Sequence, residues 1–160
     1  MLPLQKIIQR LQIMKQYISI FLICLMPVLF LGCKKKKEPP IIENATFRVV
    51  PGARAGAVFF KVTNKNDGAI ELLSATCEYA GRVEIHDHVI EGNGVARMVA
   101  VRKIEVPAKE KDKPGEVELK RGGKHLMLFD LEPKIFESET LKGTLTFSTG
   151  PVDVTFTKEK

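Results

Sequence analysis

The stretch GAVFFKVTNKNDGAIELLSATC, residues 56–77, decides the fold. A run rich in Val, Phe and Thr ends at Asn64, the cluster KNDG follows at 65–68, and a second apolar run, AIELLSATC, ends at Cys77. Short β-branched and aromatic runs bounded by Asn, Asp and Gly read as strands joined by a tight turn. Working outward, the pattern repeats through GRVEIHDHV (81–89), EGNG (91–94), VARMVAV (95–101), KIEVP (103–107), EVELK (116–120), RGG (121–123), HLMLFDL (125–131), KGTLTFS (142–148) and VDVTFT (152–157). No window keeps an apolar 3.6-residue period for three turns, so residues 45–160 are expected to be all-β, with turns at the spacing of a sandwich or small Greek-key barrel. One segment departs from this, AKEKDKPG at 108–115, which reads as a charged surface excursion between two strands.

The chain ahead of Ala45 belongs to a different pattern. From Met14 it runs MKQYISIFLICLMPVLFLGC: one lysine, then an uncharged apolar stretch from Tyr17 to Leu31. Those 15 residues fall short of the roughly 20 that a membrane-spanning helix needs and suit the apolar region of a secretory signal. Residues 30–33, FLGC, resemble a bacterial lipobox, with Phe30 where Leu is usual. That resemblance implies a signal peptide over residues 1–32, with Cys33 lipidated as the first residue of the mature chain. An uncleaved anchor is the alternative, and either tethers the domain outside the cytoplasm, on a bacterial membrane facing the periplasm or cell exterior. Met14 followed by Lys15 is also a more usual start for such a signal than Met1. Residues 33–44, the lipidated Cys and KKKKEPPIIEN, read as a Lys/Pro-rich tether, whose lysines suit anionic lipid headgroups.

The net charge of +6 belongs mostly to this leader. Residues 1–44 hold seven Lys/Arg and two Asp/Glu, which leaves a surplus of +1 for residues 45–160. That is too little for an electrostatic footprint on nucleic acid, so no nucleic-acid partner is expected. Of three cysteines, Cys24 lies in the signal and Cys33 in the lipobox, and only Cys77 remains in the domain. A lone cysteine makes no internal disulfide, so the fold must rest on its core. Cys77 is expected to be buried and inert rather than a metal ligand.

All three histidines fall in two segments, EIHDHVIEGNGVARM (84–98) and KHLMLF (124–129), each with a methionine close by. In a strand, residues two apart share a face, so Glu84, His86 and His88 point one way while Val83, Ile85 and Val89 point the other. His125, Met127 and Phe129 likewise share a face, and Leu126 and Leu128 the opposite one. A single methionine in a strand is usually a core filler, and a single histidine an ordinary surface residue. Five such residues in two short segments argue for more. Thioether is soft and imidazole borderline, a mixture that favours Cu(I) over harder ions, whereas zinc sites are built from Cys, His and carboxylates.

Two family resemblances bear on these segments. GRVEIHDHVIEGNG resembles the first cupin motif through Gly81, His86, His88 and Glu91. The glutamate comes early, however, and the second cupin motif is missing: Pro114 and Gly115 are adjacent, with His125 ten residues beyond. The chain also resembles the periplasmic PCu(A)C copper chaperones, whose pattern is a histidine, a methionine twelve positions later, and a His-x-Met after about twenty-one residues. His86, Met98, His125 and Met127 fill that pattern in order, and the phrases GRVEIH, GVARM, IEVPA, VELKRGGKHLML and GTLTF are similar too. Asp87 stands where the family often has a second methionine. The Met98–His125 gap holds 26 residues, the excess coinciding with the charged excursion, which a surface loop can absorb.

The resemblance covers about residues 45–157 and implies a cupredoxin-like Greek-key β-sandwich that binds Cu(I). It implies His86, Met98, His125 and Met127 as metal ligands, with His88 a secondary neighbour. It further implies a chaperone that delivers copper by ligand exchange and catalyses no reaction. The copper-accepting protein would lie on the cytochrome oxidase assembly route, a cytochrome c oxidase subunit or a Sco-like chaperone. A cupin-like metalloenzyme using His88 and Glu91, or a structural lipoprotein without metal, are the alternatives at this point.

Overall fold

The computed structural model describes residues 37–90, 92 and 96–159, together with Arg10. The expected signal peptide and the lipidation candidate Cys33 lie outside the described residues, as does Glu91. Lys37–Lys160 form one compact unit.

Among the described residues ten strands follow in chain order: β1 (Ile41–Arg48), β2 (Ala55–Asn64), β3 (Ile70–Cys77), β4 (Ala80–Ile90), β5 (Ala96–Ala100), β6 (Ile104–Val106), β7 (Gly115–Leu119), β8 (His125–Leu131), β9 (Thr140–Phe147) and β10 (Gly150–Lys158). The 56–77 stretch forms β2, its turn and β3, as its composition requires. The turn is held by Asn64, fully buried at the end of β2. Its amide donates to the carbonyls of Gly68 at 3.0 Å and Pro107 at 2.8 Å, and its Oδ1 accepts from the Asn66 backbone at 3.0 Å. One polar side chain thus satisfies three backbone groups where three segments meet.

The strands hydrogen-bond in the order β5-β4-β8-β2-β1-β10-β9-β3-β6, with β7 also on β2. β1 and β10 run parallel, and every other pairing is antiparallel. Side chains far apart in that order nevertheless share one core: Val58, Phe60, Leu126 and Leu128 from one half, Ile70, Leu72, Leu141, Leu145 and Phe156 from the other. The rings of Phe60 and Phe156 lie 6.1 Å apart between centroids. The sheet therefore folds over into the two layers of a cupredoxin-like β-sandwich, its apolar core between the inner faces, with Phe59, Thr63 and His125 buried on the outer side as well.

Two features go beyond the sequence reading. The folded chain begins ahead of Ala45, with β1 starting at Ile41; the Glu38 backbone N–H donates to Asn66 Oδ1 at 2.8 Å and the Asn66 amide returns a bond to the Glu38 carbonyl at 2.9 Å. A one-turn helix, α1 (Lys134–Glu137), follows Pro133, buries Ile135 and is closed by Ser138 Oγ donating to the Lys134 carbonyl. One turn is too short to leave an apolar period.

The charged excursion is an exposed loop pinned by reciprocal backbone bonds between Glu110 and Lys113, 2.8 and 2.9 Å, and by the Lys109–Asp67 ion pair at 2.9 Å. It re-enters the sheet at Gly115, where a Cβ would stand 1.9 Å from the Pro107 carbonyl oxygen. Only glycine fits there.

β2 changes partner along its length, and this positions the site. Its first half, Ala55–Val58, pairs with β8, and its second half, Phe60–Asn64, pairs with β7. The chain leaves the sheet between those strands as the loop 120–124, which turns at Gly122 with φ +73°. That loop reaches β4 through the Gly122 carbonyl, 2.6 Å from His88 Nδ1, and the Lys124–Asp87 ion pair.

Candidate metal centre

Registers settle what periodicity could not, namely which strands are neighbours. β4 lies between β5 and β8 and pairs His86 with His125, Glu84 with Met127 and His88 with Met98. Residues directly opposite each other share a face. His86, His88, Met98, His125 and Met127 therefore stand on one outer face of three adjacent strands, while Ile85, Leu126 and Leu128 are buried in the core beneath. The imidazole centroids are 6.0 Å apart for His86 and His125 and 6.3 Å for His88 and His125. Within the hairpin, Met98 faces His88 directly, and His86 faces Ala100. His86 is a diagonal neighbour of Met98, about 7–8 Å away between Cα positions and within reach of a long side chain.

Each ring has one nitrogen already committed. His125 Nδ1 donates to the Gly123 carbonyl at 2.7 Å and His88 Nδ1 to the Gly122 carbonyl at 2.6 Å. His86 Nε2 donates to the Glu84 carboxylate at 2.9 Å, and Glu84 is held in turn by Arg82, whose guanidinium lies 4.3 Å over the Phe129 ring. Hydrogen-bonded imidazoles of this kind are the usual support of metal-binding histidines, because the partner fixes the tautomer and aims the other nitrogen. The other nitrogen of His86, Nδ1, is buried with no hydrogen-bond partner. A buried unpaired lone pair is costly, and a soft metal ion would satisfy it. Burial also lowers the His86 pKa.

The surroundings grade from closed to open. His125 is 4% exposed and Met98 46%. Phe59 on β2 lies 6.2 Å from His125, and Phe129 lies 6.2 Å from His86, so apolar walls flank the inner rings. Among the described residues no three His, Cys, Asp or Glu side chains are grouped to hold a metal by themselves, so a metal on this face would draw on the thioethers.

Sequence reasoning did not assign roles to Glu84, Asp87, Gly122 and Gly123. Glu84 was visible as a same-face neighbour of His86. Asp87 pairs with Lys124 at 2.8 Å and accepts from the His88 backbone at 2.8 Å, which fastens the 120–124 loop to β4. Cys77 stands apart at the end of β3, half-buried, and burial pushes its thiol up to about 12.

A cupredoxin-like sandwich is the fold of PCuAC domains, and on that fold the comparisons with known proteins agree. The profile of the LpqE-like family, described as lipoproteins, matches residues 41–157, and the chain belongs to that family. Among solved structures, the copper-bound PCuAC domain from PmoF2 is similar at 18% identity and a TM-score of 0.61, covering 77% of this chain and 94% of that one. DR1885 from Deinococcus radiodurans in its apo form is 28% identical with a TM-score of 0.54, covering 81% of this chain and 86% of that one. The same protein in its CuI form is 25% identical with a TM-score of 0.55, covering 82% and 86%. No curated protein matches the chain. Among the described residues no helix is long and apolar enough to cross a membrane.

Proposed function

We propose that this chain is an extracytoplasmic Cu(I) chaperone, anchored through a lipid on Cys33, that holds copper with His86, Met98, His125 and Met127. The observation that carries the reading is the cross-strand pair of His86 and His125, each ring braced at one nitrogen, with the His86 Nδ1 lone pair buried and unanswered. Methionines on the same face add soft donors, which contribute little to Zn(II) or Mg(II) and suit Cu(I). The likeness to a CuI form of DR1885 supports the same metal.

The function that follows is carriage rather than catalysis. A braced inner pair retains the ion, and the exposed Met98 leaves an open side from which an acceptor's ligand can displace it. The acceptor would be a copper-accepting protein of the cytochrome oxidase assembly route, a cytochrome c oxidase subunit or a Sco-like chaperone, met at the outer surface of the membrane.

A competition titration under reductant tests the metal. The protein is expected to take Cu(I) from a weak chelator at one equivalent and to leave Zn(II) largely unbound. Alanine at His86, Met98, His125 or Met127 should each weaken Cu(I) binding by about tenfold or more. If Met98→Ala and Met127→Ala both bind as the parent does, the thioethers are packing groups and the copper reading fails.

A further inference from the structure

We infer that His88 is the exit ligand of the site: with Met98 it forms an outer station at the sheet edge that holds Cu(I) as the ion leaves His86 and His125. This rests on the copper reading above. Three observations place it.

The first is register. Met98 is opposite His88, not His86, and directly opposite residues have Cβ atoms about 4.5–5.5 Å apart. The Met98 thioether can thus serve His86 diagonally or His88 directly, and it is common to both positions.

The second is direction. β5 is the last strand of the sheet on that side, and Met98 is 46% exposed where His125 is 4%. The β5 edge is thus the open side of the set, and His88, directly opposite Met98, is the imidazole beside it.

The third is the state of the His88 ring. Its Nδ1–H donates to the Gly122 carbonyl at 2.6 Å, so the neutral ring keeps its free lone pair on Nε2. The adjacent carbonyl of the same turn, Gly123, braces His125 at 2.7 Å. The rings of His88 and His125 stand edge to face, 6.3 Å apart. One turn therefore sets the tautomer of both the innermost imidazole and the outer one, and the ion needs to move no further than from one ring to the next.

The step is a ligand exchange. Copper keeps Met98, loses its bonds to the inner imidazoles and Met127, and gains one to His88 Nε2. The acceptor's donor then displaces His88 and Met98. Copper stays Cu(I), no electron is transferred, and the Nδ1–H that donates to Gly122 is kept throughout. A d10 ion has no geometric preference from its d electrons, so a passing low-coordinate arrangement is open to it.

The competing explanation is that His88 only staples the 120–124 turn through Gly122. Two variants separate these roles: His88→Gln keeps an N–H for the turn without an imidazole donor, and His88→Met supplies a soft donor without that N–H. The experiment loads the full chain with Cu(I) under reductant. Transfer to bathocuproine disulfonate is followed by stopped flow, and equilibrium affinity is measured separately. His88→Ala and His88→Gln are expected to hold Cu(I) within about threefold of the parent but to transfer it about tenfold or more slowly, and His88→Met to restore the rate. Parent-like rates in the Ala and Gln variants overturn the inference, as does a His88→Met variant as slow as Ala. An affinity loss in His88→Ala as large as in His125→Ala also overturns it, placing His88 in the inner set. A parent that takes up no Cu(I) rejects the copper reading itself, and this inference with it.

Discussion

His86 and Glu84 stand two residues apart on the same face of β4, with His86 Nε2 donating to the Glu84 carboxylate at 2.9 Å. The bond decides which nitrogen of the ring is left to act. With Nε2 protonated and tied, Nδ1 carries the lone pair, and it is the buried one. Arg82 continues the line by pairing with Glu84 and lying over Phe129, so a surface arginine helps to aim a half-buried imidazole.

Glu84→Ala should therefore weaken Cu(I) binding by about tenfold, the usual effect of removing the outer partner of a metal-bound histidine. Circular dichroism and the unfolding midpoint should barely change, because Glu84 is half-exposed. Arg82→Ala, one step further out, is expected to have a smaller effect in the same chelator competition. Parent-like affinity in Glu84→Ala would show that the ring is aimed by packing against Phe129 alone.

The core was readable from alternation because the sandwich packs its apolar side chains on the inner face of each strand. Val58, Phe60 and Val62 on β2, and Leu126 and Leu128 on β8, are buried, as a period of two requires. What alternation cannot express is which strand lies beside which, since pairing is decided by contacts between distant segments. The face carrying His125 and Met127 was legible in the sequence; its junction with β4 was not. Neither was the pairing of Met98 with His88, which is set by the register of β5 on β4. The partner change of β2 from β8 to β7, which brings the 120–124 loop to the histidines, leaves no mark in composition beyond RGG.

Phe60 and Phe156 bring the two layers together from opposite halves of the strand order, with centroids 6.1 Å apart. Both are buried almost completely. Phe60→Ala is expected to destabilise the domain by about 3–5 kcal/mol, from lost transfer energy and the cavity left behind. Urea denaturation measures this directly. In the double variant with Phe156→Ala the losses should sum to less than the two singles, because the rings share contacts. Full additivity would mean that the rings do not pack on each other.

Cys77 offers a pH test that is independent of copper. Burial raises its thiol from 9.0 to about 12, so the folded state favours the protonated form. A raised folded pKa contributes stability that is fully present below the unfolded value and is lost as pH rises from about 9 towards 12. Reaction of the folded protein with iodoacetamide at pH 8 should accordingly be slow, and it should speed up sharply in urea. Cys77→Ser should leave Cu(I) affinity unchanged, since the residue lies at the end of β3 rather than on the histidine face. Rapid alkylation of the folded protein at pH 8 would contradict the burial.

The lipid anchor and the copper site should be separable. All four proposed ligands lie between His86 and Met127, inside the compact unit that starts at Lys37. The proposed anchor rests on FLGC at residues 30–33 and on the name of the LpqE-like family, which speaks of a lipoprotein. Mass spectrometry of the protein extracted from membranes should find an acylated Cys33 at the mature N-terminus, with residues 1–32 gone. Cys33→Ala should abolish acylation and signal cleavage together, leaving an uncleaved precursor. Its copper-binding residues are untouched, so its Cu(I) affinity after detergent extraction should equal the parent's within about threefold. An intact Met1 or Met14 on the mature parent protein would overturn the anchor while leaving the copper site standing. An affinity loss in Cys33→Ala would instead make the cysteine a copper ligand and the two functions one.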